Sequence, residues 1–307
     1  MFGLHLDIGW GWVLILAAGF IGINLFAYFM ARKNARFPKP NIVAISVSGV
    51  LKFNDKPGSV LQKFIVQIER IKKINPKAVI VRINTPGGAA GASHQMHSIL
   101  KSLREKEKIP VIAMMEDMAA SGGVYLAMGA NKIVATPGTI TGSIGVIIPH
   151  IDASSVINRL GIKVEHLKVG ENKDMLSMSK PMTKAAKDIA ESAIEDTYEA
   201  FCEVVASSRG LAVEEVKKFA DGRILSAKQA KRVGLIDEVG GYETALKMAK
   251  DAGGIADGEE RVYAMTPPIP LLERLGLAPG FSALSQQLEN FSLDMELNDL
   301  PLWIYRK

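Results

Sequence analysis

Apolar residues along this chain change their spacing in a regular order, and the order predicts its elements. From Ile8 to Ala31 no residue is charged, and Asn24 is the one strongly polar side chain. As a helix that run would reach about 36 Å, enough to cross a hydrocarbon core. Trp10, Trp12 and Tyr28 lie near its two ends, where interfacial aromatics belong. We therefore expect a short flank at 1–7, a transmembrane helix at 8–31 and a basic, proline-containing linker at 32–40. The flank lacks a basic stretch and no small-residue cleavage site follows, so an anchor is expected in preference to a cleaved signal.

After Pro40 the spacing alternates between strand and helix periods. Asn41–Leu51 reads as a β-branched strand and Val60–Ile74 as an amphipathic helix. Ala78–Ile83 and Pro110–Met115 are predicted strands on either side of a helix, Ala92–Lys106. A short helix over Ser121–Gly129 precedes a strand over Lys132–Ala135. This β-α-β-α rhythm predicts an α/β domain, a parallel sheet covered by helices, with functional loops where strands give way to helices. Lys184–Ser208 is predicted as a long helix, and Val213–Phe219, Ala227–Val233 and Tyr242–Lys250 as shorter ones. Prolines 267, 268, 270 and 279 break the pattern near the end. The catalytic-size domain is thus expected at 41–257, and 258–307 as a tail that packs on the core, the membrane or a neighbouring subunit.

Composition narrows the function classes. The net charge of +5 is spread along the chain and gathers into no recognition helix, so nucleic acid is not an expected partner. Cys202 is the only cysteine and lies in an apolar stretch, which excludes an intrachain disulfide and predicts a buried core thiol. Four basic residues, Arg32, Lys33, Arg36 and Lys39, follow the apolar span, and the charge rule for membrane orientation then puts the main domain in the cytoplasm.

Two glycine loops carry the candidate chemistry. Arg82-Ile83-Asn84-Thr85-Pro86-Gly87-Gly88 follows a buried strand, and Met118-Ala119-Ala120-Ser121-Gly122-Gly123 joins a strand to a helix. The second has the small-x-Ser-x-small form of a nucleophile elbow, with Ala119 in the first small position. Taken alone, Ala-Ser-Gly-Gly reads first as a helix cap in a tight turn. Two such loops at successive strand ends let one supply a nucleophile and the other an oxyanion donor. None of the five histidines, His5, His94, His97, His150 and His166, stands in a triad or metal-ligand pattern, and no metal or cofactor is expected. A lysine is then the candidate base; it must be free of its proton near neutral pH, which needs desolvation or nearby positive charge. Ser98-x-x-Lys101 and Ser177-x-x-Lys180 both match a simple Ser-x-x-Lys pattern, but neither lies in a strand-loop-helix setting.

Read together, Asn84-Thr85-Pro86-Gly87-Gly88, Ala119-Ala120-Ser121-Gly122-Gly123 and Thr139-Ile140-Thr141-Gly142-Ser143-Ile144-Gly145 resemble the signal peptide peptidase A family in its short form. The match continues through Gly170-Glu171-Asn172-Lys173-Asp174, Pro181-Met182-Thr183 and Gly222-Arg223-Ile224 to the stretch from Ala230 to Gly241. The resemblance implies a Clp-protease/crotonase-like repeated β-β-α core and a membrane-anchored serine endopeptidase acting on hydrophobic peptides, signal-peptide remnants included. It makes Ser121 the nucleophile and Lys173 the general base. Gly88 and Gly122 would supply the oxyanion hole, and Ser143 would orient the lysine. It also implies a ring of identical subunits, with a dyad that an adjacent protomer can complete.

The chain departs from the family pattern at three points. Thr85 stands where serine is common, and Val124 where tyrosine is frequent. The charge order around the span is inverted relative to members whose protease domains lie outside the cytoplasm. A crotonase-like acyl-CoA enzyme and a catalytically inactive membrane scaffold are the rival readings; Ser121 and Lys173 together count against both.

Overall fold

In Ile42–Ser48 (β1) successive side chains enter opposite faces of a sheet that is covered on both sides. Val43, Ile45 and Val47 join one core, Ile42 and Ala44 the other, so the strand reads as a nearly unbroken apolar run. The computed structural model describes residues 18–24, 39–53 and 59–265, together with the backbone of 302–304. The chain divides into two units, Met1–Lys39 and Pro40–Lys307. In the first, residues 18–24 (α1) are helical, and Asn24 donates its amide to the Phe20 carbonyl at 2.7 Å. The rest of the expected transmembrane helix, 8–31, lies outside the described residues. Among the described residues no helix is long and apolar enough to cross a membrane.

In the second unit β1 is followed by α2 (Val60–Ile74), β2 (Ala78–Thr85), β3 (Gly87–Ala89), α3 (Ala90–Glu105) and β4 (Val111–Ala120). Next come α4 (Gly122–Ala127), β5 (Lys132–Ala135), β6 (Ile140–Gly142) and α5 (Ser154–Arg159). A 3-10 turn, Glu171–Asp174, precedes the long α6 (Lys184–Arg209) and the short α7 (Val213–Lys217). The order ends with β7 (Ile224–Ser226), α8 (Ala227–Arg232), β8 (Glu238–Val239), α9 (Tyr242–Gly253), β9 (Val262–Ala264) and β10 (Leu302–Ile304).

The main sheet runs β7-β6-β4-β2-β1-β9, and β5 joins β4 to β8. Its pairings are parallel except for β6 with β7. This bears out the expected α/β class. β4 matters most: Ile112–Met115 pair with β5, whereas Met118–Ala120 pair with β6. The end of β4 thus stays within the sheet, between β2 through Thr85–Ala119 and β6, and leads directly into Ser121. β9, which composition assigns to the tail, pairs with β1 in register Ile42–Val262, and Met265 is buried. The sheet therefore continues past residue 257, where β9 takes up the backbone N–H and C=O groups on the outer edge of β1.

One face of the sheet packs on α2, α3, α4 and α6, and the other on α9 through Ala245 and Ala249. α2 begins where Ser59 accepts from the Gln62 N–H at 3.4 Å and stops at Asn75, whose left-handed backbone (φ 51°) cannot continue a helix. α6 begins at Thr183, which caps Ala186 N–H at 3.1 Å, and ends at Gly210. Its buried stripe, Phe201, Cys202, Val205 and Ala206, docks it on the core. Cys202 is a core thiol, as expected, and burial raises its pKa.

Candidate active site

The turn from β4 into α4 places Ser121 in a conformation that side chains rarely adopt, φ 53° and ψ −113°. Holding a non-glycine residue there costs on the order of 1–3 kcal/mol, which surrounding contacts must offset. The Ser121 N–H donates to the Gly142 carbonyl at 2.8 Å, and its carbonyl accepts from Tyr125 at 3.0 Å. Side chains on the two following residues would not fit. A Cβ on Gly122 would lie 2.3 Å from Ser93 Oγ and 3.3 Å from Gly87 Cα. One on Gly123 would lie 2.8 Å from Thr85 Cγ2. The small residues seen in the sequence thus let the serine turn press against the first glycine loop. The Ser121 hydroxyl is buried and has no hydrogen-bond partner among the described residues.

The first loop is held by backbone and by one side chain. Leu51 donates to the Gly87 carbonyl at 2.8 Å and accepts from Ala89 N–H at 2.7 Å. A Cβ on Gly88 would fall 1.9 Å from the Leu51 carbonyl oxygen, so only glycine fits. With its neighbours bonded to Leu51, Gly88 directs its own N–H to the opposite edge of β3. Gly88 and Gly122 are therefore brought to one place, each with an N–H that the local fold leaves for a ligand or another strand. Thr85 Oγ1 donates to the Gly49 carbonyl at 2.6 Å and accepts from Gly87 N–H at 3.1 Å, locking the turn. The sequence singles out Thr85 only as a departure from the family pattern, and this hydroxyl's role was missed there. A second missed hydroxyl, Thr141 Oγ1, donates to the Ala119 carbonyl at 2.7 Å and ties β6 to the approach to Ser121.

Ser143 follows Gly142, is buried, and has a positive φ of 52°. Its N–H donates to the Arg223 carbonyl at 2.7 Å. Because Gly142 accepts from Ser121, Ser143 sits one residue from the backbone contact of Ser121. Lys173 is elsewhere in character. It lies in the exposed 3-10 turn, and its ammonium has no polar partner among the described residues. Asp174, next to it, pins the turn by holding Lys168 at 2.6 Å and Lys180 at 2.8 Å, and those hydrogen bonds keep its carboxyl far below the usual range. Ser121 and Lys173 are not hydrogen-bonded to each other within one chain.

No described histidine bonds to Ser121. His94 Nδ1 lies 2.9 Å from the Tyr125 hydroxyl, and His166 lies near Ser177 and Ser179. His97 is buried against Tyr125; burial first, then Lys101, lowers its pKa to about 4. Among the described residues no cluster of histidine, cysteine and carboxylates could hold a metal ion.

The chain is similar to known proteins in sequence and in fold. The profile of Peptidase family S49 matches residues 103–256, which include Ser121, Gly122, Ser143 and Lys173. A Synechocystis sp. protein assigned as a protease is 36% identical over 251 residues, 78% of this chain and 89% of that one. The chloroplastic serine protease SPPA of Arabidopsis thaliana is 36% identical over 68% of this chain, which spans only 31% of that protein. Among solved structures, the 1510-N membrane-bound stomatin-specific protease shares the fold at a TM-score of 0.50 and 19% identity, covering 76% of this chain and all of that one (100%).

Proposed function

Because the chain belongs to peptidase family S49 and is a serine-type peptidase, we propose that it is a membrane-anchored endopeptidase that uses a Ser121–Lys173 dyad on hydrophobic peptides, remnants of signal peptides among them. The observation that carries this reading is the strained, buried Ser121 turn pressed against the Gly87–Gly88 strand. In the reaction Ser121 Oγ attacks the peptide carbonyl while its proton passes to Lys173 Nζ. The N–H groups of Gly88 and Gly122 hold the oxyanion, whose stabilisation by one such donor is worth about 10²–10³ in rate. Collapse breaks the C–N bond, and the departing amine takes the proton from Lys173. Water then attacks the acyl-enzyme by the same route and restores Ser121.

Lys173 needs a drier setting than a lone chain gives it. The segment before it exposes Ile151, Val156, Leu160, Ile162, Leu167 and Val169, the last two almost wholly. Such a run of exposed apolar residues on one segment is expected to be covered. In this reading identical subunits form a ring, a neighbour covers the segment, and assembly brings Lys173 to a serine. The core is then Clp-protease/crotonase-like, and residues 8–31 hold the ring to the lipid bilayer. Labelling by a fluorophosphonate tests the nucleophile. Tryptic mass analysis should find the adduct on Ser121 and none in Ser121→Ala; an adduct on another residue, retained in that variant, would overturn the assignment.

A further inference from the structure

Lys173 stands on a reversal of the chain whose two limbs, residues 166–168 and 177–180, form neither helix nor strand. Among the described residues no main-chain hydrogen bond joins one limb to the other. Side chains join them instead. Asp174 Oδ1 takes Lys168 Nζ from the first limb at 2.6 Å and Lys180 Nζ from the second at 2.8 Å. Lys168 also donates to the Glu171 carbonyl at 2.6 Å, which stitches its limb to the 3-10 turn. Farther from the turn, His166 Nε2 lies 3.2 Å from Ser179 Oγ and 3.3 Å from Ser177 Oγ, and the two hydroxyls are 2.8 Å apart. The Ser177-x-x-Lys180 match in the sequence thus supplies this frame: its serine faces His166 and its lysine faces Asp174.

We propose that Asp174 is the positioning residue for Lys173: by gripping Lys168 and Lys180 it fixes the two limbs, and with them the turn that presents the base to a serine. The proposal rests on the reading of Lys173 as the base, and three features carry it. Asp174 follows Lys173 directly and closes the same 3-10 turn, so its anchorage fixes the backbone from which the lysine springs. One carboxylate spans both limbs, where no sheet ladder or helix does that work. Its side chain is only 11% exposed, so water competes for it far less than for a solvated surface pair. A base must be held within about 0.5 Å of its working place, and an unpaired loop needs such a frame to meet that demand.

The test is a double-mutant cycle on peptide turnover by the full chain, in particles that sediment like the wild type. Asp174→Asn keeps the side chain's shape and removes its charge. Acting through Lys173, it should lower kcat by about 10², as a small misplacement of a catalytic group does, and leave KM little changed. In a Lys173→Ala background the same change should cost nothing further, because the group it positions is gone. Where Asp174→Asn disturbs assembly, Lys180→Met decides: it removes one grip from a partly exposed site and should lower kcat by about tenfold, again only while Lys173 is present. Unchanged turnover in the assembled variant would overturn the proposal and leave the dyad standing, and so would an equal loss in both backgrounds. If Lys173→Ala by itself turns over peptide like the wild type, the reading of Lys173 as base has failed and this proposal falls with it.

Discussion

Thr85 and Gly88 determine the shape of the first loop by opposite means, one by a hydroxyl and the other by having no side chain. Replacing Thr85 with valine keeps its volume but leaves the Gly49 carbonyl and Gly87 N–H without their partner. We expect a loss of about 1–3 kcal/mol in chemical denaturation, together with lower turnover, while Thr85→Ser keeps most of both. A Thr85→Val protein as stable and active as the wild type would free the loop from that hydroxyl. Gly88→Ala should lower turnover by about 10²–10³, with faster amide exchange at Ala89 as Leu51 is pushed off; unchanged turnover would leave the loop a structural turn only. Ser121 was legible in the chain because small residues flank it between a strand and a helix. The Thr85 contact was not, since its partner Gly49 lies 36 positions away. The candidacy of Lys173 rests on family resemblance: on local sequence alone it is one basic residue among 37.

Several elements with a strong period were read nearly to the residue, although β4 runs to Ala120, past its expected end at Met115. Val60–Ile74 and Lys132–Ala135 form as expected, and α6 extends the predicted helix by one residue. The three-residue strands β3, β6 and β7 escaped the reading because glycine-rich or very short runs carry no periodicity, and only distant partners make them strands. These strands frame the candidate site, so its scaffold was less legible than its motifs. α3 also allows a pH test. His97 is buried on it with a pKa lowered from 6.5 to about 4. A depressed folded value means that the unfolded chain takes up the proton first. Stability should therefore be level above pH 6.5 and fall by up to about 3 kcal/mol as pH drops toward 4. Denaturation of His97→Gln across that range should show a flatter profile, and an equally steep one would remove His97 as the cause. The apolar segment before Lys173 makes a third claim at this scale. Leu167→Asp with Val169→Asp should yield folded but smaller particles in sedimentation, with little peptidase activity; full-size active particles would show that no neighbour covers it.

At the scale of the whole molecule, a single chain brings the proposed nucleophile, both proposed oxyanion donors and Ser143 into one region, and leaves the proposed base on an exposed turn. For a Ser121–Lys173 dyad, assembly must complete the site. Lys173 must also accept a proton and not merely contribute charge, a distinction that arginine makes because its guanidinium stays protonated. Peptide turnover by Lys173→Arg, in particles shown to be folded and assembled like the wild type, is the most direct measurement. The dyad predicts a loss on the order of 10⁴, as in other nucleophile–base pairs; turnover near the wild-type level would contradict it.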